Sequence, residues 1–469
     1  MSSSAPSCAS DDALPIPRVA IFPFVSKGHT IPLVHLARLL HRRRLAAVTF
    51  FATPLNAPFV RRSLAPAEAA IVELPNVPAA AGGVESADQF ASASLFLPFV
   101  RAASLLRPAF SESLRRPTPP SLLVADAFLF WAHAAAAELG VPSVVFNGMG
   151  AFASAVSLAV TVHKPHAGVA SRLEPFPVHP FPGLRLTRAD LAPPFDDPDP
   201  KGPLWDFIVE VRAATRTCRG TLVNTFYELE PLYVDRWTRD LGVRAWCVGP
   251  LCLARDAGPG PDRSPVMDWL DSRLAAGRPV LYVAFGSQAR LPPAQAEQLA
   301  AGLDRSGLDF LWAVRPGEPE LPQVGERGRV VGEWVDQVQI LAHGSVRGFV
   351  THCGWNSVLE SLSCGVPMLT WPMMAEQCLN AKFVVEELRA GLRLRLRPSG
   401  AADETSVAAE DVERMAKELI LGETGKQAAA RAEELKAMAR QAMESGSGSS
   451  WTALATMIHD VCGSTEIQK

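Results

Sequence analysis

Residues 334–377 read WVDQVQILAHGSVRGFVTHCGWNSVLESLSCGVPMLTWPMMAEQ, and this stretch decides the fold. A strand-like run, Val346 to Val350, leads through a small polar turn, Thr351 to Asn356, into a helix predicted to open at Asn356-Ser357. A helix start leaves backbone N–H groups without partners and carries a partial positive charge, so an anionic group docks where such a strand ends and such a helix begins. His352, Asn356 and Ser357 add side-chain donors. Glu360, four residues after Asn356 on the same helix face, is placed to accept hydrogen bonds from hydroxyls such as those of a ribose. A nucleotide is the simplest ligand that fits the pattern.

Outward from this block the chain alternates strands and helices. Toward the N-terminus a β-branched and aromatic run, Arg18 to Phe24, is followed by a turn at Ser26-Lys27-Gly28-His29 and an amphipathic stretch, Ile31 to His41. Ala46 to Ala52, Leu122 to Ala125 and Pro142 to Phe146 read as short buried strands, with an Ala-rich helix from Trp131 to Leu139 between the last two. The rhythm restarts after a Gly/Pro-rich stretch, Leu253 to Ser264, with a helix near Val266 to Ala276, a strand Pro279 to Phe285, a helix Pro293 to Ser306 and a strand Phe310 to Val314. Such alternation argues for parallel sheets covered on both faces. The Pro- and Asp-crowded segment from Pro165 to Pro203 is expected to be an irregular excursion rather than core. Gly446 to Ser450 follows a Glu- and Ala-rich helix, not a strand, and reads as a turn before the last helix rather than a dinucleotide fingerprint.

Composition fits this picture and excludes others. A chain of 469 residues with 48% hydrophobic content exceeds a single core and suggests two domains. The formal net charge of −3 gives no electrostatic case for nucleic acid or an anionic membrane; His41-Arg42-Arg43-Arg44 is short enough to be the solvated end of a helix. The 8 cysteines show no CxxC pairing, which points to reduced thiols and a cytoplasmic protein. The first residues lack a basic region and apolar core, so no signal peptide is expected, and no apolar run reaches the ~18 residues of a membrane span. The expected partners are small molecules, with no nucleic acid, no membrane insertion and a monomeric chain.

The Trp334 to Gln377 block resembles the signature of the plant secondary-product UDP-glycosyltransferases. Trp334, Gln337, His343, Gly348, His352 through Ser357, Glu360, Gly365-Val366-Pro367, Pro372 and Glu376-Gln377 match its fixed positions. Asp336 departs from the pattern, standing where the family more often has Pro, and is expected to loosen the loop after Trp334. The resemblance implies two facing Rossmann-like α/β domains with parallel sheets, the GT-B type, with a C-terminal helix crossing back to the N-terminal domain. It implies boundaries as follows: a disordered segment 1–17, an acceptor-binding domain 18–250, a linker 251–265, a UDP-sugar-binding domain 266–450, and a helix and tail 451–469.

The chemistry is expected at the carboxyl ends of the strands, where ligands of open α/β sheets bind. His29 follows the first strand and titrates near ~6.5, so it can take a hydroxyl proton at neutral pH. Asp126 follows a later strand and would be presented on the same edge, where a carboxylate can orient the imidazole. Residue type alone leaves both open as cap or turn residues. The resemblance implies that Gly28-His29 and Asp126 match the family's catalytic pair. It also implies that Trp334 stacks on uracil, that Gln337 and Glu360 contact ribose, and that Trp355, Glu376 and Gln377 read the sugar, with Gly28, Val335 and Gly354 also at the donor site. A Gln at position 377 is associated in that family with glucose more than galactose. On composition alone Trp334 and Trp355 read as core in preference to ligand contacts.

No histidine or cysteine spacing suits a metal, and Asp197-Pro198-Asp199 lies in a Pro-rich loop rather than at a strand end, so no metal and no cofactor beyond the donor co-substrate UDP-glucose is expected. Helix-start donors, His352 and Ser287 in the turn Gly286-Ser287-Gln288 can instead neutralise a departing diphosphate. Phe24, Phe128, Trp131, Met149, Phe152 and Phe207 are candidates for an apolar acceptor pocket, each equally a candidate for core. Two other classes compete. A nicotinamide-dependent oxidoreductase needs a glycine fingerprint after a strand, which the chain lacks; a nucleotide-binding regulator without catalysis could dispense with His29 and Asp126, and both are present.

Overall fold

The computed structural model describes residues 16–78, 83–90, 92–255, 264–315, 323–395, 397–398 and 405–463. Most of the segment 1–17, the Gly258 to Pro261 part of the linker, Cys8 and the tail after Gly463 lie outside the described residues.

The first half builds a seven-stranded sheet from β1 (Arg18–Phe22), β2 (Ala47–Ala52), β3 (Ala70–Glu73), β4 (Leu122–Asp126), β5 (Ser143–Asn147), β6 (Thr221–Val223) and β7 (Ala245–Cys247), in the order β3-β2-β1-β4-β5-β6-β7. Every pairing is parallel, with Val19 opposite both Val48 and Leu122. β4 is buried along its whole length, as an aliphatic strand covered on both faces must be. The second half repeats the plan in six strands: β8 (Val280–Ala284), β9 (Asp309–Ala313), β10 (Gly328–Val331), β11 (Val346–Thr351), β12 (Met368–Thr370) and β13 (Gly391–Arg393), ordered β10-β9-β8-β11-β12-β13 and all parallel.

Both sheets reverse their strand order at one point, between β1 and β4 in the first and between β8 and β11 in the second. A crevice opens outside the carboxyl ends of the strands at such a switch point. His29 and Asp126 follow β1 and end β4; Ser287 and His352 follow β8 and β11. The topology alone therefore brings the base candidates and the phosphate candidates to the two switch points.

The C-terminal helix Ser449–Cys462 returns to the first domain, where Leu454, Met457, Ile458 and Val461 join a core with Val19, Leu33 and Trp246. This is the two-domain GT-B arrangement that the alternation and the resemblance implied. One expectation fails. The segment Pro165 to Pro203 is irregular, with a single short ribbon pairing Phe176 with Leu186, yet Phe176, Val178, Phe181, Leu184, Leu186 and Leu191 are buried in a core shared by both domains. Most of its Pro and Asp residues stay at least partly exposed while the apolar residues between them fill the seam; Asp190, at 6% exposure, is the buried exception.

Candidate active site

β1 ends at Phe22, and the next helix begins at Lys27, so Gly28 and His29 occupy its first turn rather than the separate turn expected there. The orphan N–H of Lys27 is met by Asp88 Oδ2 at 2.8 Å, which caps the helix from a distant loop. This placement aims His29 back at β4. Its Nδ1 lies 2.7 Å from Asp126 Oδ2, and the other oxygen of Asp126 accepts from the Phe128 N–H at 3.0 Å. Asp126 is 1% exposed and the His29 side chain 23%. A carboxylate at Nδ1 holds the proton there and leaves Nε2 with its lone pair. Burial disfavours the imidazolium, but the charge and hydrogen bond of Asp126, with Glu376 and Asp88 further off, outweigh it and raise the His29 pKa above its ordinary 6.5.

Of the apolar candidates, Phe24 and Phe128 stand 5.4 and 5.3 Å from the His29 ring, centroid to centroid, and Phe207 packs on Phe128 at 5.7 Å. Phe96, which sequence reading missed, closes the group at 5.3 Å from Phe128. Trp131 and Phe152 belong elsewhere. Trp131 packs edge-on against Phe22 and Phe110 in the first domain's core, and Phe152 stacks on Phe383 at 4.7 Å in the seam between domains. Met149 also packs on that seam, half-buried. Trp131 and Phe152 are buried in these packings, whereas Met149 stays partly exposed.

Across the cleft, the imidazole of His352 sits between two glycine backbones: a Cβ on Gly286, whose φ is +74°, would lie 2.7 Å from its Nε2, and one on Gly354 2.6 Å. Only glycine permits that approach. The buried Nδ1 of His352 has no hydrogen-bond partner, and burial pushes its pKa down to about 4. At neutral pH the ring is therefore uncharged. Cys353 takes a left-handed φ of +64°, held by its N–H on Thr351 Oγ1 (3.1 Å) and its carbonyl under Asn380 Nδ2 (2.9 Å); strain of this kind at a strand-to-helix turn sharpens the exit of the chain. The helix that follows, Trp355–Cys364, opens with Gly354 as its cap and presents unpaired backbone N–H groups at its first residues.

Trp355 is the main departure from the implied roles. Its ring is 3% exposed, its Nε1 donates to Asn224 O at 2.8 Å, and a Cβ on Gly150 would come within 2.9 Å of it. The indole is thus a wedge between domains, the core reading, and only the backbone N–H of Trp355 remains for a sugar. Asn356 also reaches across: its Nδ2 donates to Gly28 O at 2.6 Å while Asn224 Nδ2 donates to its Oδ1 at 3.4 Å.

Trp334 is 53% exposed, with Lys27 Nζ 4.4 Å from the centre of its ring; Val335 behind it packs into the seam. Gln337 Nε2 donates to Glu360 Oε2 at 2.6 Å and to Ser357 Oγ at 2.9 Å, so Ser357 is drawn to the ribose candidates rather than standing alone as a phosphate donor. Burial pushes Glu360 up to about 7. Asp336 does not loosen the loop as expected: its carboxylate pairs with Arg255 and caps the helix Gln337–Leu341 through the Gln339 N–H at 3.1 Å. Ser287 Oγ donates to Asp88 Oδ1 at 2.8 Å. Asp88, whose carbonyl also accepts from Arg315 at 2.5 Å, went unnoticed in the sequence because its partners are far along the chain. Gln377 uses Oε1 to accept the Met373 and Met374 N–H groups, both at 2.9 Å, which leaves its amide N–H groups for a ligand. Burial raises the Glu376 pKa against the opposing charge of His29, which places the two groups within electrostatic reach.

Among the described residues no group of three or more His, Cys, Asp or Glu is arranged to hold a metal, and no helix is long and apolar enough to cross a membrane.

Comparison with known proteins agrees with this geometry. The family model for UDP-glucoronosyl and UDP-glucosyl transferase matches residues 264–436. UDP-glycosyltransferase 90A1 of Arabidopsis thaliana is 40% identical over 466 residues, covering 96% of this chain and 97% of the relative. UDP-glucose flavonoid 3-O-glucosyltransferase 7 of Fragaria ananassa is 34% identical, covering 94% and 96%. The crystal structure of Glycyrrhiza uralensis UGT73P12 complexed with glycyrrhetinic acid 3-O-monoglucuronide superposes with a TM-score of 0.85 at 29% identity, covering 97% of each chain. With relatives of 34–40% identity matched along nearly their whole length, the chain belongs to the plant UDP-glycosyltransferases.

Proposed function

We propose that this enzyme moves glucose from UDP-glucose to a hydroxyl of a small phenolic acceptor, with inversion, using His29 as base and Asp126 as its partner. The observation that carries the reading is the His29–Asp126 contact of 2.7 Å at one switch point, joined to the opposite one by the Asn356 to Gly28 hydrogen bond. The acceptor hydroxyl gives its proton to His29 Nε2 while its oxygen attacks the anomeric carbon. Asp126 stabilises the imidazolium as it forms. The bond to UDP breaks on the far face, and the diphosphate leaves toward the helix start of Trp355–Cys364, where backbone N–H groups, His352 and Ser287 receive its charge. One displacement inverts the anomeric centre. Trp334 stacks on uracil, Gln337 and Glu360 take the ribose hydroxyls, and Glu376 with the free amide of Gln377 reads the sugar, as glucose.

The phenolic acceptor is supported by the aromatic ring group of Phe24, Phe96, Phe128 and Phe207 beside the base, and by the flavonoid named in the strawberry relative. A terpenoid acceptor is the second reading, supported by the glycyrrhetinic acid derivative in the Glycyrrhiza complex. Residues 18–250 act as the acceptor half and 266–450 as the donor half. The seven described cysteines are free thiols, which supports a cytosolic location, and one chain supplies both walls of the cleft, which supports a monomer. The test is mass spectrometry of products from UDP-glucose and matched panels of phenolics and triterpenoids, with UDP release followed in parallel. A hexose on phenolics and release only with acceptor are expected; transfer confined to triterpenoids favours the second reading, and UDP binding without any product overturns both.

A further inference from the structure

Arg255 lies in the first part of the linker, following a turn whose Leu251 N–H is held by Asn224 Oδ1 at 2.9 Å. It meets Asp336 through both guanidinium ends, Nη1 lying 2.6 Å from Oδ1, and the two side chains are 30% and 27% exposed. Planar pairing of this kind fixes direction as well as distance. Asp336 lies between Trp334 and Gln337, and it caps the helix that Gln337 begins. Gln337 in turn bonds Glu360 and Ser357, and Tyr282 OH donates to its Oε1 at 3.3 Å. One ion pair therefore holds the start of the helix that carries Gln337, two residues after Trp334, and through Gln337 it stands behind Glu360.

We propose that Arg255 and Asp336 are positioning residues for the nucleotide: the pair locks the Trp334–Gln337 loop to the chain leaving the first domain and sets the charge balance at Glu360. The inference rests on the reading of Trp334, Gln337 and Glu360 as the nucleoside site. Burial is the main cause that raises Glu360, Asp336 adds to it and Arg255 opposes it. Tyr282, Cys252 and Cys364 also face Glu360, but burial lifts all three well above neutral pH, so they bring no charge there. Losing Arg255 alone exposes Glu360 to an uncompensated carboxylate and raises it further. Neutralising Asp336 alone leaves the guanidinium and lowers it. An ionised Glu360 accepts ribose hydroxyls strongly through charge, whereas a protonated one turns one oxygen into a donor and accepts only weakly. The two single substitutions must therefore move the pH dependence of donor binding in opposite directions, which a simple loss of rigidity does not do.

The experiment is UDP affinity by titration calorimetry at pH 6, 7 and 8.5 for the wild type, Arg255→Met, Asp336→Asn and the double variant, with kcat and KM for UDP-glucose alongside. Asn caps a helix as well as Asp, so Asp336→Asn removes charge and spares the cap. Arg255→Met is expected to weaken UDP about tenfold at pH 7 relative to wild type, since the pair is only partly buried. That ratio should shrink at pH 8.5, kcat at saturating donor should stay near wild type, and the double variant should bind better than Arg255→Met. Asp336→Asn should hold its affinity better than wild type at pH 6. UDP binding by Arg255→Met within twofold of wild type at pH 7, or a loss equal at all three pH values, overturns the proposal. A wild type that binds no UDP overturns the nucleoside site itself, a separate failure that the same titration identifies.

Discussion

Asn356 Nδ2 donates to the carbonyl of Gly28 at 2.6 Å, and that carbonyl is available because residue 32 is proline. In the helix Lys27–Arg42 the Gly28 carbonyl would ordinarily accept the N–H four residues on, which Pro32 lacks. The second domain supplies the missing partner, so a local defect in the helix that carries His29 becomes a contact between the two halves of the cleft. Pro32→Ala returns the helical hydrogen bond and makes Asn356 compete for its acceptor. Helix stability should hold or rise while kcat/KM falls about three- to tenfold, the scale of one hydrogen bond. Steady-state kinetics with a melting curve check this; unchanged kinetics would remove the contact from the alignment of the site.

How much of this was legible in the sequence follows from where the signal lies. The donor block is contiguous, so strand, turn and helix could be read together. His29 and Asp126 could be placed because strand ends are where such sheets put chemistry. β6, β7, β12 and β13 have three residues each, too few to show a period, and they went unread. Asp88 acts on Lys27 and Ser287, 61 and 199 residues away, with no local pattern to mark it. The aromatic candidates for an acceptor wall could not be sorted because a ring looks the same in a sequence whether it packs beside His29, as Phe128 does, or fills a seam, as Phe152 does.

His29 and Asp126 should behave as a unit in the pH profile. His29→Ala should lower kcat by about 10²–10⁴-fold, the usual worth of a positioned base, with UDP affinity nearly kept. The base works unprotonated, so kcat/KM should fall as pH drops through the His29 pKa, which lies above 6.5. Asp126→Asn removes the principal partner that raises it, so the acid limb should move to lower pH even as the maximal rate drops. A limb that stays in place would assign the titration to another group.

Asp88 carries negative charge to Ser287, the hydroxyl proposed to receive the diphosphate. Donor binding must separate the two or crowd like charges together. Asp88→Asn keeps an acceptor for the Lys27 N–H and removes the repulsion, and should tighten UDP about two- to fivefold, the worth of one partly screened charge. Calorimetry decides it: weaker binding in the variant would show that the carboxylate helps the donor site rather than guarding it.

Buried neutral histidines should make the fold labile to acid. Burial lowers His35 to about 3, with Arg255 and Arg38 contributing, and His352 to about 4; His133 falls to about 4 because burial outweighs nearby Asp126. The unfolded chain takes up protons from about pH 6.5 downward while these three native rings do not, so stability falls as pH drops through 6.5 and keeps falling until each folded pKa is reached. At pH 5 each ring costs at most about 2 kcal/mol by this linkage. His29 has the opposite sign: its raised pKa gives stability that is fully present below 6.5 and lost as pH climbs through the folded value, so it acts against the loss from the other three. His133 is 3% exposed and its ring is neutral in the folded protein at neutral pH, so a ring that never ionises can take its place. His133→Phe should therefore raise the melting temperature relative to wild type by more at pH 5 than at pH 7. Equal differences at the two pH values would mean that His133 does not couple folding to protons.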